Sequence, residues 1–160
     1  MCIRDRVRRQ VEDVLFVIAG EGPARSSLEQ EVRKRAMGEN VRFIGYLDRH
    51  TELNSCYCAA DIFIFASRTE TQGLVLLEAM AQGVPVVSTA ELGTRDVLQD
   101  GAGVWIAQEE VADFTSNVVK MLGHAQVRSE LGELGRAYAN EWSAAKQAKK
   151  MLTFYRTVTT

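Results

Sequence analysis

Two glutamates, Glu70 and Glu78, stand eight positions apart in "TETQGLVLLEAM", residues 69–80. Ionised carboxylates accept hydrogen bonds from hydroxyl groups, so a pair of them suits a polyhydroxylated ligand. Glu78 sits among Leu74, Val75, Leu76, Leu77, Ala79, Met80 and Ala81. A helix apolar nearly all round is a buried helix, and a carboxylate within it costs several kcal/mol unless it is paired. Glu78 therefore requires either a protein partner, such as an arginine or backbone amides, or a polar ligand. Glu70 taken singly is a loop glutamate of the solvated kind. The pair gains meaning from Gly73, which opens the helix after Glu70 and leaves N–H groups free for a phosphate.

The elements that must position these acids alternate. Val14–Ala19 is an apolar run of strand length, ended by Gly20 and Gly22. Pro23 then suits a helix start and Gly38 its stop. "NVRFIGYLD" is a second strand, "RHTELNSCYCAA" an amphipathic helix, and Asp61–Ser67 a third strand. Gly73–Gln82 reads as a helix closed by Gly83. "VPVVST" and "GVWIA" are further strands around the short helix of "GTRDVLQDG", and three helices follow, the last starting at Trp142. Such alternation implies an α/β fold: a Rossmann-like parallel sheet flanked by helices, with right-handed crossovers and a helical C-terminal end. Ligands of such sheets bind beyond the carboxyl ends of the strands. "GEGP", "GYLD" and "SRTETQG" all fall there.

The totals narrow the classes. The chain has 160 residues, 46% hydrophobic and 25% charged, enough for one domain with a core. A formal net charge of −2 gives no electrostatic reason for nucleic-acid binding. No apolar run approaches the roughly 20 residues of a membrane span. Three cysteines argue against a disulfide framework and for a reducing, cytoplasmic setting. The opening "MCIRDR" differs in character from the rest of the chain and resembles translated adaptor sequence. Residues 1–6 are set apart as a non-native scar and residues 7–160 as one domain truncated at its N-terminus.

In combination, "FVIAGEGP", "VRFIGYL" and "ADIFIFASRTETQGLVLLEAMAQGVPVVST" resemble the retaining glycosyltransferases of family 4, also called group 1, with "ETQGLVLLE" matching their E-x7-E pattern. The resemblance runs from Val7 to about Tyr155. It implies the C-terminal, nucleotide-sugar-binding half of a two-domain GT-B enzyme. By that resemblance Glu70 contacts the donor sugar as the catalytic-site acid, and Glu78 holds the ribose hydroxyls. Gly73, Leu74 and Val75 offer N–H groups to the diphosphate. Tyr46 and Leu47 lie along the base, and Gly20 and Gly22 let the backbone approach the donor. It also implies transfer of a hexose with retention, no cofactor beyond the nucleoside-diphosphate sugar substrate, no catalytic metal, and an acceptor domain that this chain lacks. Peripheral attachment at the inner membrane face belongs, in the family, to that other half. The family's diphosphate-clamping Arg and Lys have no counterpart here, since Arg8 and Arg9 read as the tail of a helix. The polypeptide as written is thus expected to be inactive.

Other signals carry less. The third glycine of a dinucleotide fingerprint is replaced by Arg25, which reads as a helix-surface residue. Cys56 and Cys58, with His50 nearby, point to opposite helix sides and read as buried small residues, not metal ligands. His124 reads as a helix-end residue, Trp105 and Trp142 as packing. "ELGTRDVL" is read as structural. Met151, Leu152, Phe154 and Tyr155 are expected to be exposed. The competing reading is a non-catalytic Rossmann-like module that binds a nucleotide or a partner.

Overall fold

The apolar runs become short parallel strands and the amphipathic stretches become helices between them. The computed structural model describes residues 3–49 and 51–158. Helix α1 (Ile3–Arg8) precedes β1 (Phe16–Ala19), α2 (Arg25–Lys34), β2 (Val41–Gly45), α3 (Leu53–Cys58) and β3 (Phe63–Phe65). Then come α4 (Leu74–Ala81), β4 (Val86–Ser88), α5 (Gly93–Val97) and β5 (Val104–Ile106). Helices α6 (Val111–Gly123), α7 (Ala125–Glu141) and α8 (Ala144–Val158) complete the chain. Residues on both sides of the boundary placed at Val7 share α1.

The strands form two parallel sheets, β1–β2 and β3–β4–β5, where a single sheet was expected. Phe16 pairs with Val41 in the first; Val86 pairs with Phe63 on one side and Val104 on the other in the second. β4 is buried along its whole length, as the middle strand of a covered parallel sheet must be. Two apolar clusters cover this sheet. One holds Tyr57, Leu76, Met80, Val86 and Val104; the other holds Val7, Val87, Phe114, Met121 and Leu131. A third and smaller cluster, Val32, Met37 and Val41, lies under β1 and β2.

Helix α4 is seated by α7, and small residues set their approach. A Cβ on Gly132 would lie 2.3 Å from the Gly83 carbonyl oxygen, and one on Gly103 2.3 Å from the Gly135 Cα. Gly83 closes α4 at a φ of +77°, as its sequence position suggests. Helix α2 ends differently from expectation. Its reversal comes at Ala36, with a φ of +51°, two residues before Gly38, because the Met37 N–H turns back to the Val32 carbonyl at 3.1 Å and carries Met37 into the small cluster. Trp142 caps the end of α7, so α8 starts after it. Along α8, Met151, Leu152, Phe154 and Tyr155 are all more than half exposed, as expected.

Candidate active site at the carboxyl edge of the strands

The loops that leave the strands converge on one edge. Gly20, with a φ of +117°, ends β1 in a conformation that L side chains rarely adopt. Its N–H donates to the Gly45 carbonyl at 2.6 Å, which ties the first two loops together. A Cβ on Gly20 or on Gly22 would meet nothing within 4 Å, so both face open space. Tyr46 follows β2 with 72% of its surface exposed, and Leu47 beside it is half-buried. A phenol ring so exposed is a free surface for stacking.

The third loop carries the first acid into α4. Gly73 sits at a φ of +66° immediately before the helix. The Glu70 carboxylate folds back across this turn: its Oε1 accepts hydrogen bonds from the Gln72 and Gly73 N–H groups, each at 3.0 Å. These backbone donors hold the Glu70 carboxyl below the usual carboxylate range. Glu70 thus occupies the position at a helix N-terminus that an anion takes. Leu74 is exposed and Val75 half-buried in the first turn beyond it.

Glu78 lies one turn into α4. Leu76, Leu77, Ala79 and Met80 around it are buried, whereas the Glu78 side chain keeps 27% of its surface accessible. Both of its oxygens have protein partners. Oε1 is ion-paired with the Arg49 guanidinium, and Oε2 accepts a hydrogen bond from the Tyr57 hydroxyl at 3.2 Å. Burial, and next the Glu78 carboxylate, push the Tyr57 phenol well above its ordinary pKa, so it stays a donor. Arg49 is itself 60% exposed. An ion pair that open is worth about 0.2–1 kcal/mol, so its guanidinium can yield Oε1 to another donor, such as a diol.

Arg49 and Tyr57 were not legible as site residues, because they lie 29 and 21 positions from Glu78. A third element, read as structural from the sequence, also borders this loop. "ELGTRDVL" abuts the Glu70 loop: the Gly93 N–H donates to the Glu70 carbonyl at 3.1 Å. A Cβ on Gly93 would lie 2.0 Å from the Thr71 carbonyl oxygen, so only glycine fits. The buried Thr94 hydroxyl accepts from the Glu91 N–H at 2.8 Å and fixes this turn. The signal available was the "ELGT" turn itself, whose glycine and threonine suit a tight loop.

The remaining candidates separate from the site. Arg25 bridges Glu21 and Glu29 on the surface of α2, as its position suggests. Arg8 ends α1 and donates to the Ala36 carbonyl at 3.4 Å. His124 sits between α6 and α7, with Nδ1 2.7 Å from the Lys120 carbonyl oxygen. Cys58 is exposed and its thiol approaches the Gln82 Oε1 at 3.5 Å, contrary to the buried reading; the short α3 turns it outward while Tyr57 takes the inward place. His50 lies outside the described residues. Among those described, no cluster of three His, Cys, Asp or Glu is placed to hold a metal ion. No helix among them is long and apolar enough to cross a membrane.

A parallel α/β domain whose strand ends gather two carboxylates and a glycine-opened helix N-terminus belongs to the Rossmann-like class that binds ligands at this edge. Residues 4–138 match the family model described as glycosyl transferases group 1, and the chain belongs to that family. A D-inositol 3-phosphate glycosyltransferase of Frankia alni is 36% identical over 96% of this chain, which spans 38% of that protein. S. aureus TarM, solved as a variant with UDP, superposes with a TM-score of 0.80 at 22% identity, covering 94% of this chain and 31% of TarM. Anabaena HepE, solved with UDP and glucose, gives a TM-score of 0.80 at 18% identity, covering 94% of this chain and 43% of HepE. The fold is that of the Rossmann-like C-terminal domain of GT-B proteins. The chain spans less than two-fifths of the length of the curated relatives it matches.

Proposed function

We propose that this chain is the donor-binding domain of a retaining glycosyltransferase that moves a hexose from a nucleoside-diphosphate sugar to an acceptor held by another domain. The observation that carries the reading is the pair Glu70 and Glu78 astride the N-terminus of α4, at the carboxyl edge of the sheet. Glu78 exchanges its exposed Arg49 partner for the ribose hydroxyls while Tyr57 keeps hold of Oε2. The diphosphate takes the N–H groups of Gly73, Leu74 and Val75, and Glu70 turns from these amides to the sugar hydroxyls. Tyr46 and Leu47 flank the base; Gly20 and Gly22 leave room for the donor. In the reaction the bond from the anomeric carbon to the diphosphate oxygen breaks, a bond to the acceptor oxygen forms on the same face, and the acceptor's hydroxyl proton passes to the departing diphosphate oxygen. Charge developing on the leaving diphosphate is met by the helix-terminal amides, an electrostatic device that calls for no catalytic metal. The chain alone binds donor and does not turn it over.

Calorimetric titration of the chain with UDP, GDP and ADP tests binding and reads the base preference. In a complete enzyme carrying this domain, Glu78→Gln and Glu70→Ala should each lower turnover or donor affinity. Both left at wild-type values would sink the assignment. One observation favours a second reading, a non-catalytic nucleotide- or partner-binding module: both carboxylates are already satisfied within the chain. That reading expects nucleotide binding, if any, to be indifferent to Glu78→Gln, and a complete protein without transfer activity.

A further inference from the structure

Among the described residues, two that are not glycine hold a positive φ: Ala36 at +51° and Leu92 at +48°. L side chains strain such a backbone, and it persists only where the surroundings impose it. At Ala36 the reason is visible, since the turn carries Met37 into the small cluster. At Leu92 packing supplies no reason. Its side chain is 62% exposed, between the half-buried Glu91 and Gly93. Exposed leucines are ordinary on a protein surface, but a leucine exposed on a strained backbone is not.

The backbone here is a type II′ turn. Leu92 stands at its second position with a φ of +48° and a ψ of −127°, and the Thr94 N–H closes the turn on the Glu91 carbonyl at 3.1 Å. Glycine takes that second position without strain. The residues that fix the turn lie on either side of Leu92. The buried Thr94 hydroxyl accepts the Glu91 N–H at 2.8 Å, and the Gly93 N–H is bound to the Glu70 carbonyl at 3.1 Å. These contacts explain the backbone and leave the leucine side chain unexplained, because glycine at this place would serve the turn better.

The place of the turn says what the side chain meets. It follows β4, the middle strand of the larger sheet, at the same carboxyl edge as the Glu70 loop. The bond from Gly93 to the Glu70 carbonyl sets Leu92 one peptide unit from the backbone of that acid.

We propose, resting on the reading of this edge as a donor site, that Leu92 is a specificity residue for the transferred sugar: its side chain packs on the C–H face of the pyranose whose hydroxyls Glu70 binds. A pyranose is amphipathic. Hydroxyls project from its rim, and in a glucose-like ring the axial C–H groups make both faces apolar. A carboxylate serves the rim and an aliphatic side chain serves the face. Two adjoining loops thus read two aspects of one ring, held in register by the Gly93–Glu70 hydrogen bond. The rigid turn fixes Leu92 before the sugar arrives, so little further ordering opposes the contact. The nucleotide makes no use of Leu92.

Titration of the chain with isotope-labelled leucine methyl groups, followed by NMR and calorimetry, tests this. The probes are UDP, GDP and ADP, each followed by its glucose conjugate. The Leu92 methyl resonances should stay in place with the diphosphate that binds and shift with its glucose conjugate. Leu92→Gly removes strain and contact together. Its thermal midpoint should rise by a few degrees and its affinity for the diphosphate should hold, while its affinity for the glucose conjugate should fall about fivefold. Leu92→Ala keeps the strained backbone, so it should show the same loss of affinity without the rise. A midpoint lowered in both variants, with the glucose contribution to affinity untouched, would give Leu92 a structural role and overturn the inference. Methyl shifts with the diphosphate alone would put Leu92 on the nucleotide and overturn it equally. If a diphosphate binds and neither methyls nor affinities respond to the glucose, this inference falls and the donor site stands. If no diphosphate binds, the donor-site reading falls and takes the inference with it.

Discussion

The β1–β2 ladder and the β3–β4–β5 ladder share parallel pairing and β-branched composition, yet they rest on different foundations. Beneath and above β4 lie two clusters in which Leu76, Met80, Val86, Val87, Val104 and Met121 are wholly buried. Under β1 and β2 lie Val32, Met37 and Val41, with Phe16, Ile18 and Phe43 packed half-buried against them and Val17, Leu28 and Ile44 exposed beside them. The rigid part carries α4 with Glu70 and Glu78; the lightly packed part carries Gly20, Gly22, Tyr46 and Leu47. A ligand at the carboxyl edge that touched both sets would staple the weaker part to the stronger, which ties ligand binding to stability.

The largest effect is expected where backbone meets backbone in the rigid part. Gly103→Ala places a Cβ against Gly135 and forces a side chain on a residue at a φ of +91°. We expect a loss of about 3–5 kcal/mol in urea-induced unfolding, enough to unfold a marginal domain. A tolerated substitution would mean that α7 is not clamped to the sheet as described.

A matched pair of truncations compares the two parts directly. Val86→Ala opens a hole at a fully buried position, whereas Val41→Ala does so in a cluster that can relax toward solvent. The expected costs are about 2–3 and about 1 kcal/mol. Equal costs would show that the small cluster is as tightly packed as the large one.

Next comes the grip on Glu78. Tyr57→Phe removes one hydroxyl from a buried ring and leaves its edge-on packing with Phe63 in place. In a complete enzyme carrying this domain, donor KM should rise about fivefold, the worth of one hydrogen bond, with kcat little changed. A fall in kcat with KM unchanged would show that Tyr57 does not act through ground-state donor binding.

The sequence makes some of this legible and hides the rest for physical reasons. The strand cores and the glycine-bounded α4 follow from local pattern: apolar runs of strand length, and Gly73 and Gly83 at positive φ on either side of a helix. Glu70 and Glu78 were legible as a pair because they lie within one short stretch, the loop and the helix that it opens. Arg49 and Tyr57 were not, since their contact with Glu78 depends on how α3 is set against α4. The Gly93–Thr71 approach was hidden in the same way, being a loop-to-loop contact that no periodicity encodes. The divided sheet was unreadable because strand pairing is non-local: five apolar runs say nothing of which neighbours are present.

Glu70 offers the finest test, because two effects on one residue oppose each other. Its carboxylate now holds the Gly73 N–H that the proposed diphosphate requires. Removing it with Glu70→Ala frees that donor and removes a competing negative charge, so the isolated chain should bind UDP severalfold more tightly by calorimetry. In a complete enzyme the same substitution should lower turnover, because the sugar loses a hydrogen-bond acceptor. Acid reads the cap separately. A carboxyl whose folded pKa is depressed stabilises above its unfolded pKa, and that stabilisation is lost as pH falls through the folded value. Protection of the Gln72 and Gly73 amides, corrected for intrinsic exchange, should therefore hold at neutral pH and be lost only once the pH has fallen below the ordinary glutamate range. In Glu70→Ala it should be low throughout. UDP affinity unchanged by Glu70→Ala, with this pH signature present, would separate the cap from the donor site and move the diphosphate off the α4 terminus.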